Sequence, residues 1–95
     1  MTVIWADVAI ADLIALHAYI SNDNPAAAEA MIRRVVDLVE RQLPHMPESG
    51  RPGRVPKTRE LVISGSPYFV PYQVVGDTIA ILRVIHGARR WPENG

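Results

Sequence analysis

The apolar residues of this chain change period once. Ala9, Leu13, Leu16 and Ile20 recur at helical spacing, and Met31, Ile32, Val35, Leu38 and Val39 do so again, whereas from Lys57 onward apolar and polar residues alternate in twos. A stripe of about 3.6-residue period buries one side of a helix, and an alternation of two buries one side of a strand. The chain must therefore pack helices from its first half on a sheet from its second, an α+β arrangement.

The punctuation fits that reading. "TVIW" opens with β-branched and aromatic residues and predicts a short first strand, followed by a helix over roughly 6–21. "SNDNP" stops that helix and starts another: Asn24 is a good N-cap, and Pro25 stands at the first helical position, where its missing N–H costs nothing. Pro44 and Pro47 mark the end of the second helix. So short a connection predicts an antiparallel helical hairpin, with Asp, Glu and Arg on its outer face. "PHMPESGRPGRVP" then reads as an exposed loop. "KTRELVIS", "SPYFVPYQVV" and "DTIAILRVIH" are three strand-like runs, and the "GD" between the last two closes a hairpin. The expectation is a three-stranded antiparallel meander, with Tyr68, Val70, Tyr72 and Val74 on its core face. Pro71, in the middle strand, cannot donate a ladder hydrogen bond and predicts a bulge or a missing bond.

Ninety-five residues, 48% of them hydrophobic, make one domain, residues 1–95, with one modest core. The chain has no cysteine, so neither a disulfide framework nor a thiolate metal site is available, and a cytoplasmic protein is expected. The apolar N-terminus is interrupted by Asp7, Asp12 and His17 and lacks a basic leader, which argues against a signal or membrane segment. There is no glycine-rich phosphate loop, and His17, His45 and His86 fall on separate elements, so no cofactor and no metal is expected.

The formal net charge is +0, which gives no global reason to bind nucleic acid. Its distribution is uneven. Residues 1–40 carry two basic groups against six acidic ones, a net −4, and residues 41–95 carry eight against four, a net +4. Much of the positive charge gathers in the tail, "LRVIHGARRWPENG". Arg83, His86, Arg89, Arg90 and Trp91 there, with Arg59 on an earlier strand, are the candidate target-binding residues. Arg59 faces away from its neighbour Glu60 on a strand and is left available. His86 can act as an acid or base near neutrality, or can be a corner histidine satisfied by backbone. Trp91 reads as an anchor tying the tail to the core, and Arg89 and Arg90 as exposed basic contacts. No catalytic residue is assigned.

The element order, together with "DLIALHAYI", "NPAAA", "TRELVI", "SPYFVPYQV" and "GDTIAILRVIHGARRWP", resembles the RelE/ParE superfamily of bacterial toxins over nearly the whole chain. "HGARRWP" after a "GD" hairpin is the most specific part and is similar to the ParE branch. The resemblance implies a toxin of a type II toxin–antitoxin system that inhibits DNA gyrase without being an enzyme. It also implies a cognate antitoxin with a ribbon-helix-helix DNA-binding region, so that DNA is met only through the antitoxin. The alternative is a ribosome-dependent mRNA endonuclease of the RelE branch. Against that alternative stand the neutral net charge and the absence of any tyrosine beyond Tyr72.

Overall fold

The computed structural model describes residues 1–92. Strand β1 (Thr2–Trp5) leads into helix α1 (Asp7–Ser21), and α2 (Pro25–Asp37) returns beside it. Asn24 caps α2 as its position predicts: its backbone is extended and its side chain accepts the Ala27 N–H at 3.0 Å. His17 on α1 and Glu29 on α2 meet at 3.1 Å across the hairpin.

Helical structure ends at His45, between the two prolines expected to mark its stop. Leu38–Gln42 widens into a π-helical turn, and α3 (Leu43–His45) closes it. A proline inside a helix removes one hydrogen bond and its ring crowds the carbonyl four residues back; a wider turn just ahead of Pro44 makes room for it. Trp5 at the end of β1 donates its indole N–H to Glu40 in this turn at 2.7 Å, fixing the first strand to the end of the hairpin.

The sheet holds β2 (Arg51–Pro52), β3 (Arg59–Val62), β4 (Tyr68–Val75) and β5 (Thr78–Ile81) besides β1, in the order β1-β5-β4-β3-β2, and β6 (Ile85–His86) also pairs with β4. The antiparallel meander β3–β4–β5 is as predicted. Gly76, at φ 58°, opens the two-residue turn between β4 and β5, where only glycine adopts that backbone without strain. Two strands extend the meander. β1 runs parallel to β5, from Thr2 beside Thr78 to Trp5 beside Ile81, which makes the sheet mixed. β2 lies in the segment read as an exposed loop and pairs Arg51 with Glu60 and Pro52 with Arg59. A strand of two residues is too short to leave a periodic trace in a Pro/Gly-rich segment.

The core lies between the hairpin and one face of the sheet. Ala9 and Leu16 of α1 and Val35 of α2 meet Leu61, Val70, Tyr72, Ile79 and Ile81, all buried. The outer face of the hairpin departs from expectation. On α2 it is charged, but α1 exposes Val8, Ile10, Ile14 and Tyr19, with Ile4 of β1 also exposed. No helix among the described residues is long and apolar enough to cross a membrane.

Candidate functional site

The last predicted strand, residues 77–86, is interrupted. β4 and β5 keep one register from Val75 beside Thr78 to Tyr72 beside Ile81, and Leu82 still donates to the Pro71 carbonyl at 2.9 Å. Beyond that point the pairing is shifted: Phe69 stands beside Ile85 and Tyr68 beside His86. One extra residue has entered the strand opposite Pro71, a β-bulge on the strand facing the proline. Pro71 has no N–H to offer on that side, so little ladder is lost where the bulge forms.

Arg83 and Val84 consequently both face the hairpin. Arg83 forks onto Asp12 of α1, Nε to Oδ2 at 2.7 Å and Nη2 to Oδ1 at 3.2 Å, and the displaced Val84 N–H reaches the same Oδ2 at 2.9 Å. This ion pair is mostly buried, with side-chain exposures of 14% and 13%.

Past the bulge the chain turns tightly. The Ala88 N–H donates to His86 Nδ1 at 3.0 Å, and the Arg89 N–H donates to the His86 carbonyl at 2.9 Å. With Nδ1 accepting, the neutral ring carries its proton on Nε2. Tyr68 meets the imidazole edge-on, ring centroids 5.5 Å apart. Asp12, Ala15, Leu16 and Tyr19 from α1 complete an open cleft of about 330 Å³ with Tyr68, Val84, His86 and Arg89. Burial, and to a lesser degree Tyr19, pushes the Tyr68 hydroxyl above its ordinary pKa of 10.0. The cleft is thus apolar at its floor and rimmed by two phenols, an imidazole and a guanidinium.

The six predicted residues separate. His86 and Arg89 line the cleft. Arg90 is exposed beside them, and Trp91 is half-buried with its indole N–H enclosed and without a hydrogen-bond partner among the described residues. Arg83 faces the same side but is held by Asp12, so it adds little positive charge to the surface. Arg59 corrects the sequence reading. It does face away from Glu60, yet it is not available: its Nη1 donates to the carbonyls of Gly50 at 2.8 Å and Glu48 at 3.2 Å, clamping the loop before β2. It pairs with Tyr72, four residues along β4 from Tyr68, which is roughly 13 Å at the usual rise of a strand.

The other sheet face carries a second cluster. Glu60, only 1% exposed, accepts from Arg51 Nη2 at 2.9 Å and from the Arg54 N–H at 3.0 Å, and both guanidinium groups lie over the Phe69 ring. Glu60 pairs with both cations on that face, offsetting one of their two charges, and ties down the Pro/Gly segment.

Sequence reasoning missed Asp12, Tyr19 and Tyr68 as cleft residues. Asp12 was seen only as a charge interrupting an apolar run, and Tyr68 only as a core residue. The "GD" turn carries a register, but continued without a bulge it sets Tyr68 beside Ile85 and hides the contact with His86.

Comparison with known proteins places this geometry in a family. Residues 3–91 match the family described as ParE toxin of the type II toxin-antitoxin system, parDE. A Sinorhizobium fredii protein named as toxin Y4kP is 40% identical over 89 residues, covering 94% of this chain and 91% of its own. Toxin RelE2 of Caulobacter vibrioides is 37% identical over 87 residues, covering 92% and 96%. Among solved structures, the chromosomal ParDE toxin–antitoxin system from P. aeruginosa superposes with a TM-score of 0.83 at 30% identity, covering 90% of this chain and 95% of that one. The toxin–antitoxin complex RelBE2 from Mycobacterium tuberculosis does so with a TM-score of 0.65 at 28% identity, with the same coverage. The shared architecture and the match over nearly its whole length show that the chain belongs to the ParE toxin family of type II toxin–antitoxin systems, within the RelE/ParE superfamily.

Proposed function

We propose that this toxin is not an enzyme and inhibits DNA gyrase by direct binding, through the segment from His86 to Trp91 and the cleft it forms with α1. A cognate antitoxin with a ribbon-helix-helix DNA-binding region neutralises it in the cytoplasm. The observation that carries this reading is the prior engagement of the cations. RNA cleavage by 2′-hydroxyl attack needs guanidinium or ammonium groups aimed at the developing phosphorane charge. Here Asp12 holds Arg83, two carbonyls hold Arg59, and Glu60 holds Arg51 and Arg54. Such a surface favours contact over phosphoryl chemistry.

The antitoxin follows from two supports. The structural relatives are toxin–antitoxin assemblies, and Ile10 and Ile14, exposed one turn apart on α1, are apolar residues of the kind a partner covers. The second reading, an mRNA endonuclease of the RelE branch, draws support from Tyr68, His86 and Arg89 meeting in one cleft and from the likeness to toxin RelE2.

Purified protein assayed on gyrase supercoiling and on ribosome-bound mRNA in parallel separates the two readings. Inhibited supercoiling with intact mRNA is expected; cleaved mRNA with normal supercoiling replaces the first reading by the second. Arg89→Glu/Arg90→Glu sharpens the result. Both residues are exposed past the last strand, so stability should change by about 0.5 kcal/mol or less, while reversed charge slows association with an electronegative target and lowers toxicity.

A further inference from the structure

We infer that Asp12 is a positioning residue that sets the register of the C-terminal strand, and through it the face of the sheet on which His86 stands. The inference starts from a choice the chain has between two ladders. If the register of Tyr72 beside Ile81 continued unbroken, Val84 would stand beside Phe69 and Ile85 beside Tyr68. Leu82 donates to Pro71, so residue 84 is the next narrow-pair position, and its N–H would go to the Phe69 carbonyl. In the structure Ile85 has that place. The Val84 N–H is displaced from the sheet, and Asp12 Oδ2 receives it at 2.9 Å.

The shift matters because side chains alternate along a strand, and a slip of one residue moves each of them to the other face. With the bulge, Val84 and His86 face the hairpin and Ile85 faces away beside Phe69. Without it, Ile85 would turn toward the hairpin, and Val84 and His86 would turn out to the face of Glu60, Arg51 and Arg54. The tail would leave the cleft. Either ladder gives the Val84 N–H an acceptor, but the bulged one does so only while that acceptor stands on α1. Position 12 is the residue of α1 that supplies it, and the fork to Arg83 fixes the carboxylate in place. Removing the acceptor leaves a mostly buried N–H unsatisfied, and the slip restores its partner.

The functional consequence rests on the reading that the cleft and tail meet the target; the register itself does not. The experiment uses the full chain and two-dimensional NMR. In the native protein a Tyr68–His86 ring contact is expected. In Asp12→Ala it should be lost and replaced by a Tyr68–Ile85 contact, with helix content unchanged because alanine is a good helix residue. Deleting Arg83 from the Asp12→Ala protein removes the extra residue, so the unbulged ladder again sets His86 beside Tyr68 and the original contact should return. Loss of a merely stabilising ion pair would not be repaired by deleting the second partner. A Tyr68–His86 contact that survives in Asp12→Ala overturns the inference, and so does an Asp12→Ala protein, slipped or unfolded, that the deletion fails to restore. Toxicity is read separately: it should fall in Asp12→Ala and recover in the deletion variant. Toxicity that ignores a demonstrated slip confirms Asp12 as the register residue and removes the tail from the target contact.

Discussion

Tyr68 and Tyr72 each follow a proline, stand four residues apart on β4 and face the same side of the sheet, yet they do different things. Tyr72 is fully buried. Its hydroxyl donates to the Pro47 carbonyl at 2.8 Å and accepts the Gly50 N–H at 2.9 Å. A Cβ on residue 50 would stand 2.6 Å from the ring, so only glycine lets the loop come so close. Tyr68 instead meets His86 edge-on at the cleft, with Tyr19 across from it. A loop has folded onto one end of the strand and closed it, and the other end is left open. Two near-identical sequence contexts therefore yield a structural residue and a candidate contact residue, and the difference is made by what the rest of the chain places over each.

The largest effect should come from breaking the closed end. Tyr72→Ala removes a fully buried aromatic ring, which costs about 3–5 kcal/mol in a core, and leaves two backbone groups without partners. Tyr72→Phe isolates the second part and should cost about 1–3 kcal/mol. Urea denaturation measures both; a Tyr72→Phe midpoint equal to the native one would show that water replaces the hydroxyl and that the end is not closed.

Arg59→Ala tests the same end from outside. As a clamp on Glu48 and Gly50 it should cost about 1 kcal/mol of stability and leave the proposed gyrase inhibition intact once the protein is folded. The opposite pattern, native stability with inhibition lost, would return Arg59 to the target surface that its sequence position suggested. Tyr68→Phe should move stability less, by about 0.5 kcal/mol or under, while weakening whatever binds in the cleft.

How much of this was legible in the sequence depends on the range of the interaction. The Asn24–Pro25 start of α2, the stripes at Ala9, Leu16 and Val35 and the turn at Gly76 are local, and each residue type carries its reason with it. Pro71 announced a disturbance in the sheet but not that the extra residue would enter the facing strand. The parallel pairing of β1 with β5 and the contact of Asp12 with Arg83 join positions far apart in sequence, and the pairing of β2 and the clamp by Arg59 close a Pro/Gly-rich loop that has no period of its own. Alternation and composition are blind to such contacts. The exposed apolar residues of α1 were missed for a related reason: an apolar residue looks the same in a sequence whether it meets the core or awaits a partner. In the candidate site, the tail residues were found because their charge is unusual, and the cleft that orients them was not, because half of it comes from α1.

The smallest expected effect is one of pH, and it too distinguishes the two ends. Burial first, and Tyr19 second, raise the pKa of Tyr68 above 10.0 in the folded protein, while in the unfolded chain it returns to the ordinary tyrosine value of about 10. Between these two values the folded state holds more protons than the unfolded one. Stability therefore falls as pH rises through that window and is unaffected below it. Phenylalanine at position 68 has no proton to lose, so Tyr68→Phe should lose less stability than the native protein between about pH 9 and about pH 11, the range spanning tyrosine ionisation. Urea midpoints at those two pH values, native against variant, measure the difference. An equal alkaline loss in both proteins would mean that the hydroxyl is as well solvated folded as unfolded; the cleft would then be open water at Tyr68, and the edge-on contact with His86 would shield nothing.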